Sequence, residues 1–326
     1  MTKLKLAVGF HANTPCHCDG IGAYLQKLAS NGHMISAKSI DSTASLVDYQ
    51  QLRDQGRDGI GVFRCLAWKN ATPPPGWERD QDVPPYGANP FETAIEYRRK
   101  LRAAWPPELK KEYFYVEMIN ECDKHQSDWL GYFMVELGTL LMADGFKFAG
   151  PSWSGGEPEP EHNRTPGMLE WFRLVEKHPE HLAHSVHEYT FDTEKSMKDS
   201  IPWLMGRCKD VNDACLENGI TPPPILITEW GWGADDAPSW HNGNPQIIKE
   251  DGMIEWYLEN VAYVTAVVLW ALEQDLKWGK LADVIHPYIT PLENIIVKRE
   301  PWTAPADLDQ QEDKPEVPPP PPDDDA

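Results

Sequence analysis

Short apolar runs rich in β-branched and aromatic residues alternate along the chain with stretches of helical period. The runs at 4–10, 34–40, 60–67, 113–119, 146–153, 184–189, 225–230 and 266–272 predict eight strands. The stretches at 21–29, 43–55, 90–105, 129–143, 166–176, 201–218 and 252–263 predict the helices between and behind them. Ile225-Leu-Ile and Ala266-Val-Val-Leu are near-continuous apolar segments, as parallel strands buried on both faces should be. Repeated βα units build either an open doubly wound sheet or a closed barrel. The open sheet wants a Gly-rich phosphate turn after its first strand, and Gly9-Phe-His-Ala-Asn is not one. Eight units in about 270 residues favour closure, so the expected fold is an α/β protein, a (β/α)8 TIM barrel over residues 1–300. A long Pro-rich excursion at 69–87 interrupts the alternation after strand three.

Composition changes the picture mainly at the C-terminus. Residues 301–326 hold eight prolines, eight acids and one lysine, a sequence that can bury no core and is expected to be extended or disordered. Such a tail usually tethers a further module, so a larger parent protein is expected. The net charge of −21 argues against a nucleic-acid partner, which needs stripes of Lys and Arg. Six cysteines in 326 residues make no disulfide scaffold. Cys208 and Cys215, seven apart in an expected helix, lie too far apart for a bridge. Cys16-His17-Cys18 with His11 matches no usual zinc spacing, so no metal and no cofactor are expected. No apolar stretch reaches the roughly 18 residues needed to cross a bilayer, so no membrane partner is expected. No signal-peptide h-region opens the chain, because His11 and a polar turn follow the first run at once. The location is left open: the chain stays inside, leaves by lysis, or has lost a leader.

A closed parallel barrel gathers the C-terminal ends of its strands on one face, where catalytic groups sit. Here run four continues to Asn120-Glu121 and run seven ends in Glu229-Trp230-Gly231. Two carboxyls across a barrel mouth are the equipment for cleaving a glycosidic bond. Asn-Glu closing strand four, Glu-Trp-Gly closing strand seven, His187-x-Tyr189 on strand six and Trp270 on strand eight together resemble the catalytic face of clan A glycoside hydrolases. That group includes family 5 cellulases and mannanases and family 39 enzymes. The resemblance spans about residues 4–300. It implies that Glu121 is the acid/base and Glu229 the nucleophile. It further implies that Asn120 holds the sugar 2-hydroxyl, Tyr189 donates to Glu229, His187 lines the sugar pocket and Trp270 lies beneath the scissile sugar.

There are departures from that group. Cys122 follows Asn-Glu where proline is frequent. The arginine that neighbours the nucleophile in many members rides on strand two; here the best candidate, Arg64, falls on strand three, while strand two ends near Lys38 and Asp41. Glu117, Glu188 and Glu273 compete as carboxylates near the mouth, and alternation puts Glu117 on the same face as Glu121. His11, at the end of strand one, is expected to line the pocket. Fourteen tryptophans are about three times ordinary usage, and Trp68, Trp77, Trp153, Trp232 and Trp240 fall in expected mouth loops. Flat apolar rings pack on sugar faces. With Trp230 on strand seven, Trp153 and Trp232 are therefore expected in the site, whereas Trp171, Trp203 and Trp256 fall on expected helices. The expected function is a retaining glycoside hydrolase, endo-acting on a β-linked oligo- or polysaccharide. The alternative is a non-catalytic sugar-binding barrel, on a surface or virion, tethered by its tail. A metal-dependent barrel hydrolase would want His-x-His on strand one, and only His11 is there.

Overall fold

The computed structural model describes residues 7–12, 20–40, 42–65, 83–192, 195–234, 237–238, 252–260, 264–272, 289–290, 292–294 and 296–298. The tail from 301, Cys16-His17-Cys18, Trp68, Trp77, Trp240 and Glu273 lie outside them, as does the side chain of Trp270. The apolar runs become β1 (Ala7–Ala12), β2 (Ile35–Ile40), β3 (Gly59–Arg64), β4 (Phe114–Glu117), β5 (Lys147–Trp153), β6 (Leu182–Thr190), β7 (Ile225–Ala234) and β8 (Val264–Leu272). Each pairs in parallel with its neighbours in chain order, and β8 pairs with both β7 and β1. The ring is therefore closed, and the fold is a (β/α)8 barrel. A two-residue antiparallel arm, Ala237–Pro238, folds back on the end of β7.

Helices α1 (Ile21–Ser30), α2 (Val47–Asp54), α3 (Pro90–Ala104), α4 (Ser127–Ala143), α5 (Pro166–Lys177), α6 (Cys208–Glu217) and α7 (Met253–Asn260) surround it. The start of α3 is written in the sequence: the Asn89 side chain accepts from Phe91 N and Glu92 N, and Pro90 follows it. Helices α4 and α5 touch backbone to backbone; a Cβ on Gly131 would lie 2.0 Å from the carbonyl carbon of Gly167. One helix differs from expectation. The segment expected to be helical from 201 is a series of turns, and α6 begins at Cys208, because Gly206 adopts φ 78 and no right-handed helix continues through it. Trp203 thus lies on a loop at the barrel mouth and not on a helix.

The interior has two levels. At the lower one Ala7, Val62, Tyr115, Ala149, Ala183 and Leu226 form a dry cluster, with Met34 and Ile60 packed against it. The upper level, toward the C-terminal ends of the strands, is almost wholly polar.

Candidate active site

Strand β6 shows how the upper level is sorted. Inward Ala183 and Ser185 are followed two residues on by His187 and Tyr189, while His184, Val186 and Glu188 face the helices. Glu188 is thereby removed from the site. Its carboxylate accepts from Gly206 N, Cys208 N and Tyr257 Oη, at 2.8, 2.8 and 2.6 Å, fastening the start of α6 and helix α7 to the sheet.

Strands β5 and β7 break the alternation. The β5–β6 register shifts between Pro151 and Trp153, and the β6–β7 register steps from Val186–Ile227 to His187–Glu229. Each shift inserts one extra residue, Ser152 or Thr228, whose hydroxyl points inward to Glu117 Oε1, at 2.5 and 2.7 Å. A bulge of this kind re-aims the side chains after it. In β7 it brings Glu229 inside and sends Trp230 out, in register with Glu188. In β5 it pairs Trp153 with the outward Val186.

Glu117 lies at the base of the site, fully buried. Lys38 Nζ from β2 sits 2.6 Å from its Oε2 and 3.6 Å from Glu229 Oε1. Arg64 Nη1 lies 3.9 Å from the same Glu229 oxygen. Burial alone would raise the Glu117 pKa, but Lys38, His187 and Arg64 overcome it and hold the group well below the usual carboxylate range. Glu117 is therefore an anchor for Lys38 and not the acid.

Glu121 stands apart from the strand. Regular pairing in β4 ends at Glu117, and Glu121 adopts φ 47, in the left-handed region that side chains seldom occupy. Its amide N donates to Ser152 O at 2.8 Å, and Ser152 is the other non-glycine residue with positive φ among the described residues, at 58. This turn, and not strand alternation, delivers the Glu121 carboxylate. Oε1 accepts from Ser154 Oγ (3.1 Å) and Tyr189 Oη (2.8 Å), and lies 3.2 Å from His187 Nδ1. Burial raises its pKa; the hydrogen bond and charge of His187, with Tyr189 and Ser154, more than reverse this, to about 2. His187 Nδ1 is also 3.4 Å from Glu229 Oε2. One oxygen of Glu121, one of Glu229 and a ring nitrogen of His187 all lie within 4.8 Å of one another. That trio could hold a cation, but Lys38 and Arg64 already supply positive charge at Glu229.

The expected residues divide accordingly. Glu121, Glu229, His187, Tyr189 and Arg64 come together, with one exchange: Tyr189 donates to Glu121 and not to Glu229. His11 is buried on β1, in register with Lys38. Asn120 is half-buried beside Glu121, its Oδ1 without a donor among the described residues. Trp153, Trp230 and Trp232 do not offer a ring to a ligand. They are 0, 1 and 0 % exposed; Trp153 and Trp230 are turned outward by the bulges, and Trp232 donates to Lys195 O at 3.0 Å. Sequence reasoning missed Lys38, Ser152, Ser154 and Thr228. A lysine inside a strand with no other charge was the available signal for the first; a bulge leaves no mark in a single sequence.

A scan against protein-family models and a search of curated proteins each found no match. A search of solved structures found matches. An endo-β-mannanase/endo-β-glucanase from Prevotella bryantii matches 90 % of this chain at 13 % identity and TM-score 0.49; the chain spans 49 % of that protein's length. A family 5 glycoside hydrolase from the same organism matches at 12 % identity and TM-score 0.47, over 90 % of this chain and 96 % of its own. The structure of XacCel5A matches at 13 % identity and TM-score 0.50, over 90 % and 99 %. These neighbours are family 5 enzymes of clan A, and the match to XacCel5A is one of fold. Family 39 receives no specific support.

Proposed function

We propose that the chain is a retaining glycoside hydrolase, endo-acting on a β-linked polysaccharide, with Glu229 as nucleophile and Glu121 as acid/base. The observation that carries this reading is the closeness of the two carboxylates, with oxygens within 4.8 Å across the mouth of a closed parallel barrel. Retaining enzymes hold their carboxyls about 5–5.5 Å apart, inverting ones about 6.5–9.5 Å.

The two carboxylates have different surroundings. Glu229 lies between Lys38 and Arg64, whose nitrogens are 3.6 and 3.9 Å from its Oε1. Glu121 is held by His187, Tyr189 and Ser154, and the hydrogen bond and charge of His187 are the main cause of its low pKa. In the proposed reaction a proton carried by Glu121 passes to the glycosidic oxygen as the bond to the anomeric carbon breaks and a Glu229 oxygen bonds that carbon. Water then attacks the glycosyl ester, giving its proton to Glu121 and releasing Glu229 as carboxylate.

The test is release of new reducing ends from a panel of soluble β-linked glucans, mannans and xylans. The expected result is turnover of at least one, with a rapid fall in viscosity. Sugar binding without turnover on every member would overturn the enzymatic reading and favour a binding barrel.

A further inference from the structure

Among the described residues one tryptophan is exposed, and its position is not where the expected sugar-stacking tryptophans fell. Trp203 is 72 % exposed, on the loop between β6 and α6. Exposed single aromatics are ordinary when the chain around them is loose. This loop is fastened at both ends. Ser200 Oγ bonds Thr190 Oγ1 at 2.6 Å, Leu204 N donates to Ser200 O at 2.9 Å, and Gly206 N donates to buried Glu188. The Trp203 carbonyl accepts from Arg207 Nε at 3.2 Å. Trp203 thus stands on a fixed support with most of its surface in water.

Its neighbours lead back to the acid/base. The β5 loop presses against it: Gly156 has φ 82, and a Cβ there would lie 2.9 Å from Trp203 O, so backbone meets backbone. Two residues earlier on that loop, Ser154 donates to Glu121, and Lys124 pins the loop through Glu157 and Glu159 at 3.2 and 2.7 Å. On the other flank, the Tyr189 ring, whose hydroxyl bonds Glu121, meets Phe191 edge-on with centroids 5.6 Å apart. Phe191 is 49 % exposed. The Phe191 ring and the Trp203 backbone are therefore joined to Glu121 through its own hydrogen-bond donors, Tyr189 and Ser154, and none of these links runs through Glu229.

From this placement we infer that Trp203 and Phe191 form a sugar-binding subsite on the leaving-group side of the scissile bond. The inference rests on the glycosidase reading above. The acid protonates the departing oxygen, so the departing sugar lies on the acid's side of the site, and a ring face there holds it by stacking. Such a subsite favours cleavage within a chain over removal of an end unit carrying a small leaving group.

The test compares two substrate panels on Trp203→Ala, Phe191→Ala and Trp203→Phe: 2,4-dinitrophenyl β-glycosides (glucoside, mannoside, xyloside, cellobioside) and the matching β-1,4-linked hexasaccharides. The aryl glycosides place no sugar in the leaving group. Trp203→Ala should lose about tenfold or more in kcat/KM on the hexasaccharide while keeping the wild-type value on the aryl glycoside. Trp203→Phe should recover most of the loss. Added cellobiose should intercept the glycosyl-enzyme in the wild type and do so several-fold less in Trp203→Ala, since the acceptor uses the same subsite. Equal losses on both panels, or none on the hexasaccharide, would overturn the subsite and leave the glycosidase reading intact. A wild type inert on both panels would remove that reading, and the subsite with it.

Discussion

The lower and upper halves of the barrel interior are lined by the same strands and are chemically opposite. Below, every inward residue of the Ala7, Val62, Tyr115, Ala149, Ala183, Leu226 layer is apolar. Above it, Lys38, Arg64, Glu117, Ser152, Ser185, His187, Thr228 and Glu229 pack together with almost no exposed surface. The lower layer obeys strand alternation and owes its stability to burial. The upper layer breaks alternation at two bulges, one of them holding left-handed Ser152, and at left-handed Glu121, and holds together by pairing charges. A core can thus be generic at one level and specified atom by atom at the next, a few residues further along each strand.

The contrast should fail most visibly at Lys38. Lys38→Met leaves buried Glu117 without its ion-pair partner, and the expected loss is about 3–5 kcal/mol of unfolding free energy in urea titration. The double change Lys38→Met with Glu117→Gln should recover much of that loss, because no buried charge is then left alone. If the single change is neutral, the upper level is packed like the lower one and the charge account is wrong.

Removing one donor to the anchor is the next step down. Thr228→Val keeps the shape and deletes the hydroxyl at 2.7 Å from Glu117, so about 1.5–3 kcal/mol should be lost. Acid sharpens the same point through the sign of the linkage. The folded pKa of Glu117 lies below its ordinary 4.5, so its contribution to stability is complete above that pH and declines as pH falls through the acid range. Denaturation midpoints at pH 7, 4.5 and 3 should fall in that order, and more gently in the Lys38→Met, Glu117→Gln protein. The smallest effect is expected at Trp230. It faces the helices, so Trp230→Phe should cost stability by an ordinary core repacking and leave KM for every substrate unchanged. A large rise in KM would put its ring back in the site.

The halves also differ in how legible they were. The eight strands, their order and closure follow from hydrophobic runs and spacing, because a buried parallel strand has little freedom to be anything else. Glu121, Glu229, His187 and Arg64 were visible for a related reason, since charged or titratable side chains at strand ends have few roles. Trp153, expected in a mouth loop, and Trp230, expected in the site from its place on strand seven, are turned outward because each follows a bulge, which a single sequence does not show. Tyr189 was given the wrong partner because the turn at Glu121, set by two left-handed residues whose backbones bond each other, swings that carboxylate toward β6. Trp203 was set aside as helical because Gly206 was not recognised as a stop.

The division of labour between the two carboxylates is tested most directly by chemical rescue. Glu229→Ala should abolish turnover of a 2,4-dinitrophenyl β-glycoside, and azide should restore it by taking the vacated face, giving the glycosyl azide of inverted configuration. Glu121→Ala should still form the glycosyl-enzyme from this substrate, whose leaving group needs little protonation, and azide should then yield the retained anomer. Opposite anomers in that order are the expected result. The reverse order would exchange the roles, as the Tyr189 hydrogen bond to Glu121 would allow; the same anomer from both, or full activity in either variant, would contradict the account.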